Sequence, residues 1–149
     1  LSDLEPEKTK IPKRMLPILM KPYVLIILIV ISVFGEVLWM YRAIQDGNQL
    51  ESFGLFLVGM LLGGINGVWT YRVFDKYYIQ SLLNKVNVIR QPMSIKNNVF
   101  TFLALGVPMA VSFLRDDIDP FLPIMQSYIF GFICGMNVML YLWARKLPD

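Results

Sequence analysis

Apolar residues in this chain fall in four long blocks, at about 23–41, 53–71, 99–114 and 121–143, with short polar intervals between them. An α-helix needs roughly 20 apolar residues to cross about 30 Å of hydrocarbon, so each block has the length of a membrane span or nearly so. The run 24–33 is almost wholly Val, Ile and Leu. β-Branched residues carry a small helix penalty in water. In lipid the backbone must close its own hydrogen bonds, and helix is then the expected state.

The polar intervals set the connections. Pro6, Pro12 and Pro17 block a long helix before the first span. Pro22 suits the first turn of a helix, and Asp46-Gly47-Asn48 signals a turn after it. No Gly or Pro occurs between Gly67 and Pro92, so the second helix is expected to run past the membrane. Across about 75–90, Tyr78, Ile79, Leu82, Leu83, Val86 and Ile89 recur at helical spacing with Lys76, Lys85 and Arg90 between them. This predicts an amphipathic extension that lies on the membrane surface, meets a partner, or packs on the chain's own ends. Gly106 and Pro108 interrupt the third span, and Asp119-Pro120 opens the fourth.

Charge orients these elements. Twelve of the fourteen Lys and Arg residues fall in the intervals on one side of the four spans, and only Arg42 and Arg115 fall on the other. Cationic loops stay on the cytoplasmic or matrix side, because carrying them across hydrocarbon is costly. The expected fold is therefore an all-α, integral membrane four-helix bundle, one domain over 1–149, with both termini inside. Trp39, Trp69 and Trp143 then fall at span ends, where amphipathic rings are favoured. Lys13 and Arg14, with Lys76, Lys85 and Arg90, would meet an anionic membrane surface or a partner. The host membrane reads equally as mitochondrial inner membrane or prokaryotic plasma membrane. The opening at Leu1, with Asp3, Glu5 and Glu7 following, resembles neither a transit peptide nor a signal peptide. It reads as a processed or trimmed end.

Composition narrows the chemistry. Hydrophobic residues make up 56% of the 149 residues and charged ones 17%, too little charge to cover a soluble domain of this size. The net charge of +3 comes from the inside loops and reads as an orientation device, not as a nucleic-acid footprint. Without His, the usual general base and His metal or haem ligands are missing. The single Cys134 lies deep in a span and cannot form an intrachain disulfide. Neither a P-loop nor a nucleophile triad is present, so no enzyme activity and no cofactor are expected.

Two sets of residues stand out. Gly59, Gly63 and Gly67 lie at four-residue steps on one face of the second span, and Gly131 with Gly135 repeats the device in the fourth. Small residues let helix backbones approach closely in lipid. A shift of 72 places Gly59 on Gly131, Gly63 on Gly135 and Tyr71 on Trp143, which points to a tandem repeat of two helical hairpins. The second set is polar. Glu36 is the one ionisable residue well inside a span, and such a residue marks a functional site by default. Ser112, Gln126 and Ser127 fall at similar depth, as does Gly59, which would admit a close neighbour to the cluster. Asn66 and Asn137 form a second polar pair nearer the inner side.

The piece Pro22-Tyr23 with Gly35-Glu36-Val37 resembles the first span of small multidrug-resistance transporters, in which a Glu exchanges protons for drug. The resemblance covers some fifteen residues and implies a proton-coupled role for Glu36. That family is shorter, with tight loops and no amphipathic insertion. Two functional expectations follow. The leading one is a small accessory subunit of a larger membrane complex, respiratory or otherwise energy-transducing, that contributes packing and assembly among other membrane subunits. The alternative is a small proton-coupled transporter or channel built on Glu36.

Overall fold

The computed structural model describes residues 10–84, 95–114 and 118–149, with side chains for all of these except 80–84, 95–98, 109, 111–114 and 118–124. Four α-helices carry the chain: α1 (Pro22–Gln45), α2 (Gln49–Asn84), α3 (Ile95–Leu114) and α4 (Ile118–Ala144). The described residues contain no strand. Two single-turn 3-10 helices, Lys13–Met15 and Ile18–Met20, precede α1, each starting after a proline. Pro22 occupies the first turn of α1, as its missing N–H allows. The α1–α2 connection is the tight Asp46–Asn48 turn, and Gly47 takes a positive φ of 76° that L side chains avoid. α3 continues through Pro108 without ending.

Three helices are long and apolar enough to cross a membrane, namely α1, α2 over Gln49–Ile79, and α4 over Met125–Ala144. α3 has 20 residues, and its apolar stretch with described side chains is Val99–Pro108. At 1.5 Å per residue, α2 is about 54 Å long, well beyond the hydrocarbon thickness. The expected run of the second helix past its span is thus present as far as Asn84. The rest of the amphipathic segment, with Lys85 and Arg90, lies outside the described residues.

Polar residues are buried and many apolar ones are not. Among the described residues Ser32, Glu36, Ser52, Asn66, Thr70, Ser127 and Asn137 are buried beside apolar side chains, while Ile27, Val30, Phe34, Val37, Leu61 and Phe102 are exposed. This pattern suits a solvent of lipid tails, where polar groups must find partners within the protein.

α4 is the centre. It packs most extensively on α2 and next on α1, whereas the consecutive helices α1 and α2 barely touch. Half of the α4 span is covered by protein, against 17% of the α1 span. Gly59 meets Tyr128, Gly63 meets Phe132 and Gly67 meets Met136, so contact positions ascend together and α2 and α4 run parallel. The described segment before α1 and the C-terminal residues meet at one end of the bundle, called here the terminal end. Lys13 donates its backbone N–H to Pro148 O at 2.8 Å and pairs with Asp149 at 3.1 Å. The segment before α1 is packed there through Ile11, Leu16 and Met20, which join Leu140, Ala144 and Leu147 of the C-terminal part and Tyr78 of the extended α2. The opposite end carries the Asp46–Asn48 turn and is called the turn end. Of the three roles expected for the extension, contact with the chain's own ends is the one visible at Tyr78.

Candidate functional site

The α2–α4 seam explains the glycines. A Cβ built on Gly59, Gly63, Gly131 or Gly135 would strike the carbonyl oxygen of Tyr128, Phe132, Phe56 or Met60 respectively. At Gly67 it would lie 2.7 Å from Met136 O. All five glycines therefore serve contact between α2 and α4 inside this chain. The contacts are also reciprocal. A shift of 72 residues turns Gly59 on Tyr128 into Gly131 on Phe56, and Gly63 on Phe132 into Gly135 on Met60. Tyr71 and Trp143, themselves 72 apart, stack on each other with centroids 5.8 Å apart and planes 9° apart. Trp143 Nε1 also donates to both oxygens of Asp75 at 3.3 Å.

A polar cluster forms where α1, α2 and α4 converge toward the turn end. Ser52 of α2 and Ser127 of α4 are fully buried, and their hydroxyls share a short hydrogen bond. Glu36 of α1 adjoins Ser127 and is 8% exposed. Both of its oxygens are sealed from solvent, and among the described residues neither makes a hydrogen bond of ordinary geometry. Ser127 is the donor that approaches it. When Ser52 donates to Ser127, the Ser127 proton is free to turn to the carboxylate. One helical turn along α1, Ser32 is buried and donates to Leu28 O at 2.7 Å. Gly35 makes the α1–α4 approach possible, since a Cβ there would lie 2.6 Å from the Phe130 ring.

Nearer the terminal end, a cavity of about 380 Å³ is bounded by α1, α2, α3, α4 and the segment before α1. Its polar lining is Asn66, Thr70, Thr101 and Asn137, and Leu19, Met20 and Leu28 lie on its apolar wall. Thr101 donates to Asn66 Oδ1 at 3.1 Å, and Asn66 Nδ2 lies 3.4 Å from Met136 Sδ. Asn66 thus links α2 to α3 and α4. Asn137 instead donates to Ile133 O of its own helix at 2.7 Å.

Of the residues expected in the polar cluster, the structure places Glu36 beside Ser127, and the close neighbour that Gly59 admits is the α4 backbone at Tyr128. Gln126 is half-buried, and the side chain of Ser112 lies outside the described residues. Asn66 and Asn137 share a cavity but bond to different groups. Ser52 escaped the sequence reading because it sits three residues into α2, in what looks like the outer turn. Ser32 was hidden in an aliphatic run, where one hydroxyl leaves no periodic signal. Lys13 is engaged with the chain's own C-terminal end, while Arg14 and Lys76 are exposed.

No protein-family model, curated protein or solved structure gives a significant match to this chain.

Proposed function

We propose that this chain is a four-span membrane protein that passes protons or a small cation by way of Glu36, with both described ends on the cytoplasmic or matrix side. The observation that carries the reading is the place of the carboxyl: 8% exposed, beside the hydrogen-bonded Ser52 and Ser127 hydroxyls, where α1, α2 and α4 meet. An ionisable residue inside a membrane span is costly and marks a proton or ion path by default. Lipid on the exposed apolar faces and cations in the terminal-end segments support the orientation.

The reciprocal α2–α4 contacts support the tandem-hairpin reading, with a pseudo-two-fold axis along the membrane normal. The partners of the outer helices depart from it, since α1 packs on α4 far more than α3 packs on α2.

The test is proton flux into proteoliposomes under an imposed gradient. Glu36→Gln keeps the side-chain volume and removes the titrating group. We expect it to abolish flux while Glu36→Asp retains part of it. Wild-type flux in Glu36→Gln would end this reading.

A second reading, an accessory subunit of a larger complex, draws on one observation. α1 presents Ile26, Ile27, Val30, Phe34, Val37 and Leu38 to its surroundings and is covered by little of its own chain. The glycine faces and the tied-down segment before α1, which would also suit a partner, are already used within the chain.

A further inference from the structure

We propose that a groove along the flank of α2 beside α4 holds one anionic phospholipid of the terminal-end leaflet, with an acyl chain along the groove and the phosphate at Arg72. Such a site is independent of Glu36 and requires only that α2 crosses the bilayer.

The groove has a volume of about 580 Å³, within the usual range of ligand sites. Leu61, Ile65, Val68 and Trp69 of α2 form its wall together with Met139 of α4. Steps of three and four residues keep the α2 positions on one helix face. Leu61, Ile65 and Trp69 are exposed, so this face is open to hydrocarbon. Arg72, at the other end of the groove, is eleven positions after Leu61, about 16 Å at 1.5 Å per residue. One leaflet contributes half of the roughly 30 Å hydrocarbon core. The groove therefore has the depth of a single leaflet and suits one acyl chain laid along the helix.

Gly64 belongs to the groove, and the α2–α4 seam does not account for it. Gly63 and Gly67 face the α4 backbone, whereas a Cβ on Gly64 would meet only Met139 Cγ at 3.7 Å. Packing would tolerate a side chain at Gly64, and that side chain would take up part of the groove. Trp69 stands edge-on to Phe100 of α3, with ring centroids 5.5 Å apart and planes 75° apart. This contact holds the indole at the rim, at the level where such rings meet lipid head groups.

Charge selects the head group. Arg72 is exposed, and its planar guanidinium presents paired donors to phosphate oxygens. Lys76, one turn further along α2 and also exposed, adds a second cation on the same face. Asp75, the acid between them, is turned to Trp143, whose Nε1 donates to both of its oxygens at 3.3 Å. An apolar wall with two cations above it matches an acyl chain with a negative head group above it. A zwitterionic lipid offers the same chain but offsets its phosphate with its own ammonium, so a net-anionic lipid is favoured. A second copy of this chain fits less well, because a two-fold contact through this face would set Arg72 against Arg72.

The experiment gives the full chain, delipidated in mild detergent, equal amounts of phosphatidylglycerol and phosphatidylcholine with identical acyl chains. Native mass spectrometry reads the first bound lipid. Wild type is expected to retain phosphatidylglycerol about tenfold over phosphatidylcholine, and Arg72→Gln to lower that preference about fivefold. Arg145→Gln removes an exposed cation of the same end that does not line the groove, and should leave the preference unchanged. Gly64→Leu fills the groove and should lower retention of both lipids. A second measurement needs no groove-filling variant. Phosphatidylglycerol with brominated chains is expected to quench the part of the emission that Trp69→Phe removes more strongly than brominated phosphatidylcholine does. Equal retention of the two lipids by wild type overturns the site, as do equal effects of Arg72→Gln and Arg145→Gln. Full retention by Gly64→Leu, or equal quenching of Trp69 by the two lipids, also overturns it. A dimer of the delipidated chain that Gly64→Leu abolishes would assign the groove to a second copy and overturn the lipid site. Proton flux through Glu36 is untouched by each of these results.

Discussion

Neighbouring glycines in α2 have opposite demands. Gly63 faces the Phe132 backbone, which cannot swing aside as a side chain can, whereas a Cβ on Gly64 would meet only Met139 Cγ at 3.7 Å, an ordinary contact. Gly63→Val should force the helices apart and cost about 1–3 kcal/mol, the usual range for overpacking. Gly64→Ala should be neutral or stabilise by up to about 1 kcal/mol through helix propensity. Thermal unfolding in detergent, followed by loss of helical circular dichroism, separates the two. Equal melting temperatures for both variants would mean that the α2–α4 seam is looser than described. The four-residue glycine spacing makes the close face legible in the sequence. Ser52 and Ser32 were not legible in this way, because a lone hydroxyl has no period and its role depends on which helix arrives opposite.

The order of burial among the helices runs against the order of their apolarity. α1 is the most apolar span and the least covered, while α4 is less apolar and half covered. In lipid the most apolar helix loses nothing by facing the solvent, and the helix with Ser127, Asn137 and two seam glycines gains most from protein neighbours. Helix existence was therefore legible from block length, but the central place of α4 was not, because four apolar blocks give no pairing order. The same burial order makes α1 the element on which the accessory-subunit reading depends. In that reading, mild detergent extraction should yield the chain with an unrelated membrane protein at fixed stoichiometry, measured by native mass. Val30→Ala with Phe34→Ala should weaken that association without lowering the chain's own melting temperature, since both side chains are largely exposed. A monomer or a homo-oligomer alone would remove the subunit reading and leave the Glu36 reading untouched.

For the molecule as a whole, helix direction and charge placement make the same demand by independent routes. The helices alternate so that the described N-terminal segment and the C-terminus meet, joined by Lys13 with Pro148 and Asp149. Lys10, Arg14, Lys21, Arg72, Lys76, Arg145 and Lys146 belong to that end, and Arg42 belongs to the turn end. A cation held at the bilayer centre costs about 2.5–3.5 kcal/mol on insertion scales, so cationic segments resist crossing. The orientation proposed above puts the terminal end on the cytoplasmic or matrix face. Single cysteines at two exposed positions, in a Cys134→Ala background, test this directly. Lys76→Cys should react with an impermeant thiol reagent only from the cytoplasmic or matrix side. Asp46→Cys, in the α1–α2 turn, should react only from the opposite side. Reaction of both from one compartment would mean that α2 does not cross the bilayer, and the route through Glu36 would then connect no two compartments. Reaction from opposite sides but with the faces exchanged would keep the crossing and reverse the orientation, making charge asymmetry a misleading guide for this chain.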